Sequence, residues 1–218
     1  MLPTHKLIRT TLFSVALASA AGAFAADSGI TGTGSFKPPG TSNALPSSSP
    51  FSAEDLASGQ MSFAIRWDDA TPDREADPYR GFYPGAIRKF VVRIGATEIA
   101  LPIDDAVIEV SDGGGSGPHQ EFVKLQASQL IGGYRLSVGW ITLNEIVKTG
   151  DLRGTTGLLA SDALPNGEAL AALKPAGRFD RNLFVTLRAE SEARSFPIYL
   201  QTSAIEVKSM PTAAGIAR

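Results

Sequence analysis

The sequence predicts an all-β fold, an antiparallel β-sandwich of about eight strands with one short helix in a long late loop. Between Met61 and Val207, apolar and polar residues alternate with period two in several segments, which is typical of strands with one buried face. The 22 glycines and 14 prolines among 218 residues indicate many turns. No regular alternation of strands with helices is present, which argues against a doubly wound fold.

The strands are predicted in chain order at 61–67, 89–94, 98–101, 106–111, 121–127, 134–140, 183–188 and 196–201. The segment 204–207 either extends the last of them or forms another strand. A tight turn is expected at Gly95-Ala96. Between 148 and 181 lies a long excursion that we expect to cap one end of the sandwich. Within it, Asn166–Leu173 predicts a short helix with Leu170 and Leu173 facing inward.

The first 25 residues have the pattern of a secretory signal peptide. Lys6 and Arg9 precede an apolar stretch over 10–21, and Ala23-Phe24-Ala25 forms a small-x-small cleavage pattern. The apolar stretch is shorter than the roughly 20 residues that a membrane span needs. We therefore expect an exported, periplasmic or extracellular protein that begins at Ala26 and has no membrane span after cleavage.

The remaining chain divides by composition into three parts. Residues 26–52 are rich in Gly, Ser, Thr and Pro, and are predicted to be a flexible leader. The alternative for this part is one additional strand in Gly32–Lys37, supported by Phe36. Residues 53–208 are predicted to be the β-sandwich domain, and 209–218 a disordered tail.

Composition excludes several kinds of function. The chain has 20 Lys and Arg against 22 Asp and Glu, a net charge of −2, which argues against a nucleic-acid partner. It has no cysteine, and therefore no disulfide, thiolate metal site or cysteine nucleophile. Of its two histidines, only His119 lies beyond the signal peptide, so a site with several histidine ligands is excluded.

An acidic segment follows the first strong strand pattern, and it is the candidate metal site. Asp68, Asp69, Asp73 and Asp77, with Glu75 among them, could supply oxygen ligands to calcium, which takes six to eight. Their spacing is not that of an EF-hand. The favoured interpretation is turn chemistry, because Asp beside Pro initiates turns. Calcium is the alternative, and no other cofactor is expected.

Three aromatic residues in the same segment are the candidate ligand-binding residues. Tyr79, Phe82 and Tyr83 have acidic neighbours, a combination that could stack on sugar rings and bond to their hydroxyl groups. The favoured interpretation is that Phe82 and Tyr83 pack the loop onto the sandwich. Carbohydrate binding is the alternative.

Two motifs carry a resemblance to a known group of proteins. A strand ending in Asp68 is followed by Pro72-Asp73, Asp77-Pro78 and Gly81-Phe82-Tyr83-Pro84-Gly85-Ala86-Ile87, and later come Asp162-Ala163-Leu164-Pro165 and Leu183-Phe184-Val185-Thr186-Leu187. Over 61–207 the chain resembles uncharacterised exported bacterial β-rich proteins related to PEP-CTERM ectodomains, which exosortase sorts. The resemblance implies a β-rich extracellular domain of the exopolysaccharide matrix, and it implies no reaction.

The chain departs from this group after Val207, where it lacks the Val-Pro-Glu-Pro motif and the hydrophobic helix of the PEP-CTERM tail. We therefore expect a soluble form. The predicted function is that of a non-catalytic structural or binding domain of the envelope or extracellular matrix, with polysaccharide or other envelope proteins as partners. The alternatives are a carbohydrate-active hydrolase that uses Asp or Glu carboxylates, and assembly through edge strands.

Overall fold

The computed structural model describes residues 27–39, 45–113, 120–145, 159, 161–173, 181–191 and 197–211. The predicted signal peptide, His119 and most of 146–180 lie outside these residues. The described elements are β1 Asp27–Phe36, α1 Ala53–Ala57, β2 Gln60–Asp68, β3 Arg80–Pro84, β4 Ile87–Ile94, β5 Thr97–Ala100, β6 Val107–Asp112, β7 Gln120–Ile131, β8 Tyr134–Glu145, α2 Gly167–Ala172, β9 Arg181–Ala189 and β10 Ile198–Ser209. In this part of the chain, no helix is long and apolar enough to cross a membrane.

The strands form one antiparallel sheet in the order β3-β6-β7-β8-β9-β10-β1-β2-β4-β5. Strand β10 joins its two halves. Residues 198–201 of β10 pair with β9, whereas residues 202–209 pair with β1. We call the part from β3 to the start of β10 the β6–β9 half, and the part from the end of β10 to β5 the β1–β4 half.

One short connection joins two strands that are far apart in the strand order. Strands β3 and β4 lie near opposite ends of the strand order, but only Gly85 and Ala86 separate them in the chain. The three peptide units from Pro84 to Ile87 span at most about 11 Å. Backbone bonds fix this junction on both sides, because the Asp68 N–H donates to the Ala86 carbonyl at 3.0 Å and the Gly85 N–H donates to the Ala106 carbonyl at 3.4 Å.

Buried apolar residues of both halves belong to one hydrophobic core. Phe63 of β2 and Trp140 of β8 meet across it, with ring centroids 6.4 Å apart. The prediction of an all-β antiparallel fold is confirmed. The sandwich arrangement stays a prediction, which the Phe63–Trp140 contact favours.

The strictly alternating strands lie where the sequence predicts them. Alternate residues of β2, Met61, Phe63, Ile65 and Trp67, are buried. The segment 204–207 extends β10, and β7 and β8 are each 12 residues long. The structure adds strand β3 and helix α1, which the pattern did not predict.

The predicted helix in the late loop is present as α2. The Asn166 side chain caps it by accepting from the Ala169 N–H at 2.8 Å. The sequence predicts that Leu170 and Leu173 face inward. Leu170 is buried, whereas Leu173 is half-buried.

The prediction of a flexible leader over 26–52 is wrong for residues 27–36. They form β1, which lies inside the sheet between β10 and β2 and pairs with both strands. Ile30 is fully buried and Phe36 nearly so. Ser209, the first residue of the predicted tail, pairs with Ile30 in the sheet. The folded unit therefore includes residues 27–36 and does not start at residue 53.

Candidate functional site

The first two aspartates of the candidate metal site are bound to neighbouring protein groups. Asp68 accepts from the Ala70 N–H at 3.0 Å through Oδ1, and pairs with Arg88 at 2.9 Å through Oδ2. Asp69 Oδ2 accepts from the Ser28 hydroxyl at 2.6 Å, which links the acidic segment to β1. These bonds are those of turn and cross-strand contacts.

The next two aspartates close turns. Asp73 Oδ1 accepts from the N–H groups of Glu75 at 2.9 Å and Phe82 at 2.8 Å, and Asp77 Oδ1 accepts from the Tyr79 N–H at 3.0 Å. In the described part of the chain, no group of three or more acidic, His or Cys side chains could hold a metal ion. The geometry supports the turn interpretation, and calcium binding stays a prediction.

An additional carboxylate, Asp162, lies close to Asp73 and Asp77, although almost 90 residues separate it from them in the chain. Burial raises the pKa of Asp162, and the charges of Asp73 and Asp77 raise it further. Burial also raises the pKa of the nearby Tyr83 to about 12, with a contribution from Asp73 and Asp162. The fold thus brings Asp162 under the electrostatic influence of Asp73 and Asp77, which the spacing of Asp68–Asp77 alone does not show.

The three aromatic candidates have different environments. Tyr83 is only 3% exposed, and its hydroxyl donates to the Asp162 carbonyl at 2.8 Å, so its ring packs in the core and cannot stack on a sugar. Tyr79 is half-buried. Phe82 is 41% exposed on the outer face of β3, because residues 81 and 83 take the inward positions. Of the three, Phe82 alone offers an open ring.

The late loop is fastened to the sheet by side chains that donate to its backbone carbonyls. Besides the bond from Tyr83, Trp67 Nε1 donates to the Pro165 carbonyl at 3.1 Å, and Arg181 Nη2 donates to the Ala171 carbonyl at 2.8 Å. Helix α2 packs on β1 and β10, and its first residue, Gly167, lies against Gly29 of β1.

Beside α2 lies an open polar groove of about 480 Å³. Its lining includes Ser28 and Asp69, which bond to each other, together with Asn166, which caps α2, and Glu168. Three of these side chains already have structural roles, so the groove offers a ligand little beyond the Glu168 carboxylate.

The outer face of the β6–β9 half carries a diagonal row of large apolar side chains. We call it the aromatic stripe, and it consists of Phe122 on β7, Ile141 on β8, Phe184 on β9 and Tyr199 on β10. Each member is the diagonal cross-strand neighbour of the next, and such neighbours are about 7–8 Å apart. Tyr199 is 60% exposed and the other three are half-buried.

Polar side chains that can form hydrogen bonds lie on both sides of the aromatic stripe. They occupy other outward positions of the same strands and include Lys124, Gln126, Ser137, Asn182, Thr186 and Gln201. Phe184 lies over Gly139 of β8, where an added Cβ would come within 2.2 Å of the ring. Gly139 thus leaves the space that the Phe184 ring occupies.

The outer face of the β1–β4 half is different. Its described outward residues include Thr31, Thr33, Ser62, Arg66 and Arg93, and none of the described ones is aromatic. Exposed aromatic surface is therefore concentrated on one half of the sheet.

The aromatic stripe was not among the residues that the sequence singled out. A signal was present, because Phe184 and Tyr199 occupy the polar side of alternating strands, where an aromatic residue gains nothing from the core. Their diagonal alignment depends on the register of four strands, which the sequence does not show. Comparison with family models, with curated proteins and with solved structures finds no match for the chain.

Proposed function

We propose that this protein is an exported, non-catalytic binding domain of the envelope or extracellular matrix, and that it binds polysaccharide across the aromatic stripe. The observation that carries the proposal is Tyr199, which is 60% exposed beside Phe184 on a polar strand face. Export rests on the signal-peptide pattern of the first 25 residues.

A sugar ring has an apolar C–H face and a rim of hydroxyl groups. An aromatic ring can stack on the C–H face, while amide and hydroxyl side chains form hydrogen bonds with the hydroxyl groups. Tyr199 and Phe184 supply the rings, and Gln201, Thr186 and Ser137 supply the hydrogen-bonding groups. The centres of protein–protein interfaces are depleted in charged residues and in Ser, so this mixture suits a polyhydroxylated ligand better than a protein.

Affinity electrophoresis of the purified protein in gels that contain single polysaccharides tests the proposal. We expect Tyr199→Ala to weaken binding about tenfold, because the substitution removes the exposed ring. Thr33→Ala is the matched control, since Thr33 lies outward on β1 in the other half. Phe82→Ala reports on the ring beside the acidic segment, and we expect it to leave binding unchanged.

Unchanged migration of the Tyr199→Ala protein, in a gel that retards the parent protein, would contradict a role for the aromatic stripe. If Phe82→Ala abolished retardation instead, the ligand would bind beside the acidic segment. Circular dichroism of each variant shows whether it has kept the fold.

A second function, hydrolysis of a glycosidic bond, is favoured by one observation. Burial together with the charges of Asp73 and Asp77 raises the pKa of Asp162. A carboxylic acid with a raised pKa near a second carboxylate is the arrangement that general acid catalysis of glycoside cleavage uses. In this alternative, Asp162 is the acid and Asp73 is the second carboxylate.

Release of reducing sugar from the polysaccharides that retard the protein separates the two functions. A non-catalytic domain releases none at any pH. Release that Asp162→Asn abolishes while binding persists would establish the hydrolase. Asp69→Asn is the control, because Asp69 bonds to Ser28 and lies in the same acidic segment.

A further inference from the structure

One end of the outer face of the β6–β9 half combines exposed apolar side chains with two arginines. We call this the arginine patch, and it consists of Leu130, Arg135, Arg188 and Tyr199. Leu130, Arg135 and Arg188 lie side by side on β7, β8 and β9, because Leu130 is opposite Arg135 and Arg135 is opposite Arg188. Tyr199 is the diagonal neighbour of Arg188 across β9 and β10. Leu130 and Tyr199 are each 60% exposed.

The two arginines are placed unfavourably for stability. Like charges directly opposite each other on neighbouring strands destabilise a sheet. Arg135 is compensated, since its Nε donates to Glu190 at 2.9 Å and its Nη1 donates to the Ser128 hydroxyl at 3.4 Å. Among the described residues, Arg188 has neither an ion pair nor a side-chain hydrogen bond.

The patch therefore presents one uncompensated guanidinium beside an exposed tyrosine ring. A guanidinium forms its strongest bonds with a carboxylate, which it can bind through two parallel N–H donors. A ring that stacks on Tyr199 and carries a carboxylate would meet both groups at once. The rest of the protein is net acidic, so the positive charge at Arg188 is a local feature of this surface.

We infer that the polysaccharide is anionic and contains uronic acid units, with Tyr199 stacking on the sugar ring and Arg188 binding its carboxylate. The inference rests on the proposed function and names the substrate class for the same surface. The Ser128, Ser137 and Thr186 hydroxyl groups lie at the neighbouring outward positions and can bond to the sugar hydroxyls. Glu190 remains with Arg135 and leaves Arg188 to the ligand.

Two polymers with the same backbone test the charge directly. Polygalacturonate carries free carboxylates, and its highly methyl-esterified form does not. We expect tighter binding to polygalacturonate, and binding that weakens as sodium chloride is raised because salt screens exposed charges. Arg188→Gln should weaken binding to polygalacturonate about five- to tenfold and leave binding to the esterified polymer unchanged, whereas Arg188→Lys should retain part of the affinity.

Arg93→Gln is the matched control. Arg93 lies outward on β4 in the other half, pairs with Glu98 at 2.7 Å and is 56% exposed. Its loss should not change binding to either polymer. The melting temperature of Arg188→Gln should equal or exceed that of the parent protein, because the substitution relieves repulsion from Arg135.

Each other outcome overturns the inference in a recognisable way. Equal binding of both polymers, lost in Tyr199→Ala and unaffected in Arg188→Gln, would retain a polysaccharide-binding stripe and remove the preference for acid. Binding of neither polymer would reject the uronic acid ligand. A change in molecular mass by light scattering in Arg188→Gln or Tyr199→Ala, without any effect on polymer binding, would make the patch a protein interface.

Discussion

Asp55 is a buried carboxylate that joins helix α1 to the β4–β5 turn. Its Oδ2 accepts three hydrogen bonds, from the N–H and the hydroxyl of Ser52 at 2.9 Å each and from the Thr97 hydroxyl at 2.8 Å. Its Oδ1 accepts two, from the N–H groups of Ala96 at 2.9 Å and Thr97 at 3.2 Å. The turn can approach helix α1 so closely because Gly95, at φ +57°, has no Cβ. A Cβ added at this position would lie 2.6 Å from the Asp55 Cα. A single side chain thus serves as capping-box partner and as acceptor for a distant turn.

Asp55→Asn should lower the free energy of unfolding by about 2 to 3 kcal/mol. The amide NH2 group of Asn is itself a donor, so it would face the buried N–H and O–H donors and leave them without an acceptor. Urea denaturation at pH 7 measures the change. Glu54→Gln is the matched control, since Glu54 is the exposed neighbour in the same helical turn. Equal losses in the two variants would contradict the role given to Asp55.

The same carboxylate predicts a dependence of stability on pH. Hydrogen bonds from Ser52, Thr97 and Ala96, opposed by burial, hold the pKa of Asp55 well below its usual range. Because the folded-state pKa is lowered, the stabilisation is complete above the unfolded value of about 4 and is lost as the pH falls through the folded value. The difference in stability between the parent protein and Asp55→Asn should therefore narrow as the pH is lowered below about 4. A constant difference from pH 7 to pH 2 would contradict this origin.

At the scale of elements, the sequence predicts strands whose buried residues are large. In β2 and β9 every second residue is a large apolar one, so the alternation is visible. Strand β1 carries Gly29, Gly32 and Gly34 and has the composition of a linker. Tertiary packing requires a glycine at position 32, because a Cβ on Gly32 would come within 2.3 Å of the Phe63 ring.

The candidate site shows the same division between local pattern and tertiary arrangement. Turn formation by Asp73 and Asp77 depends on bonds within the same loop, and the local Asp and Pro pattern indicates it. The approach of Asp162 to them, and the alignment of Phe184 with Tyr199, depend on register and on a loop far along the chain. A single sequence carries no signal for either.

Helix α2 approaches β1 so closely that its first residue has to be glycine. A Cβ on Gly167 would lie 2.3 Å from the Gly29 carbonyl oxygen. Gly→Ala in a helix ordinarily adds about 0.5 to 1 kcal/mol of stability, but here the clash forces α2 away from the sheet. We therefore expect Gly167→Ala to destabilise the protein by about 1 to 3 kcal/mol, measured by thermal unfolding.

Ala172→Gly at the exposed end of α2 is the control for helix propensity alone. It should cost no more than about 1 kcal/mol. Stabilisation by Gly167→Ala would show that α2 does not rest on β1.

At the scale of the whole molecule, β1 and the β3–β4 junction tie distant strands of the sheet to each other. The junction connects β3, at one end of the strand order, to β4, next to the other end, through Gly85 and Ala86. Strand β1 lies between β10 and β2, where the two halves are joined. The outer face of the β6–β9 half is thereby supported from behind by a core to which both halves contribute, as the contact between Phe63 and Trp140 shows.

The position of β1 leads to a prediction that separates a structural strand from a leader. Ile30 is fully buried in β1, whereas Thr33 of the same strand is exposed on the outer face. We expect Ile30→Ala to lower the free energy of unfolding by about 2 to 5 kcal/mol, because it leaves a cavity in the hydrophobic core. Thr33→Ala should change it by less than about 0.5 kcal/mol. Denaturation of both variants measures the difference, and a leader outside the fold would leave both at the stability of the parent protein.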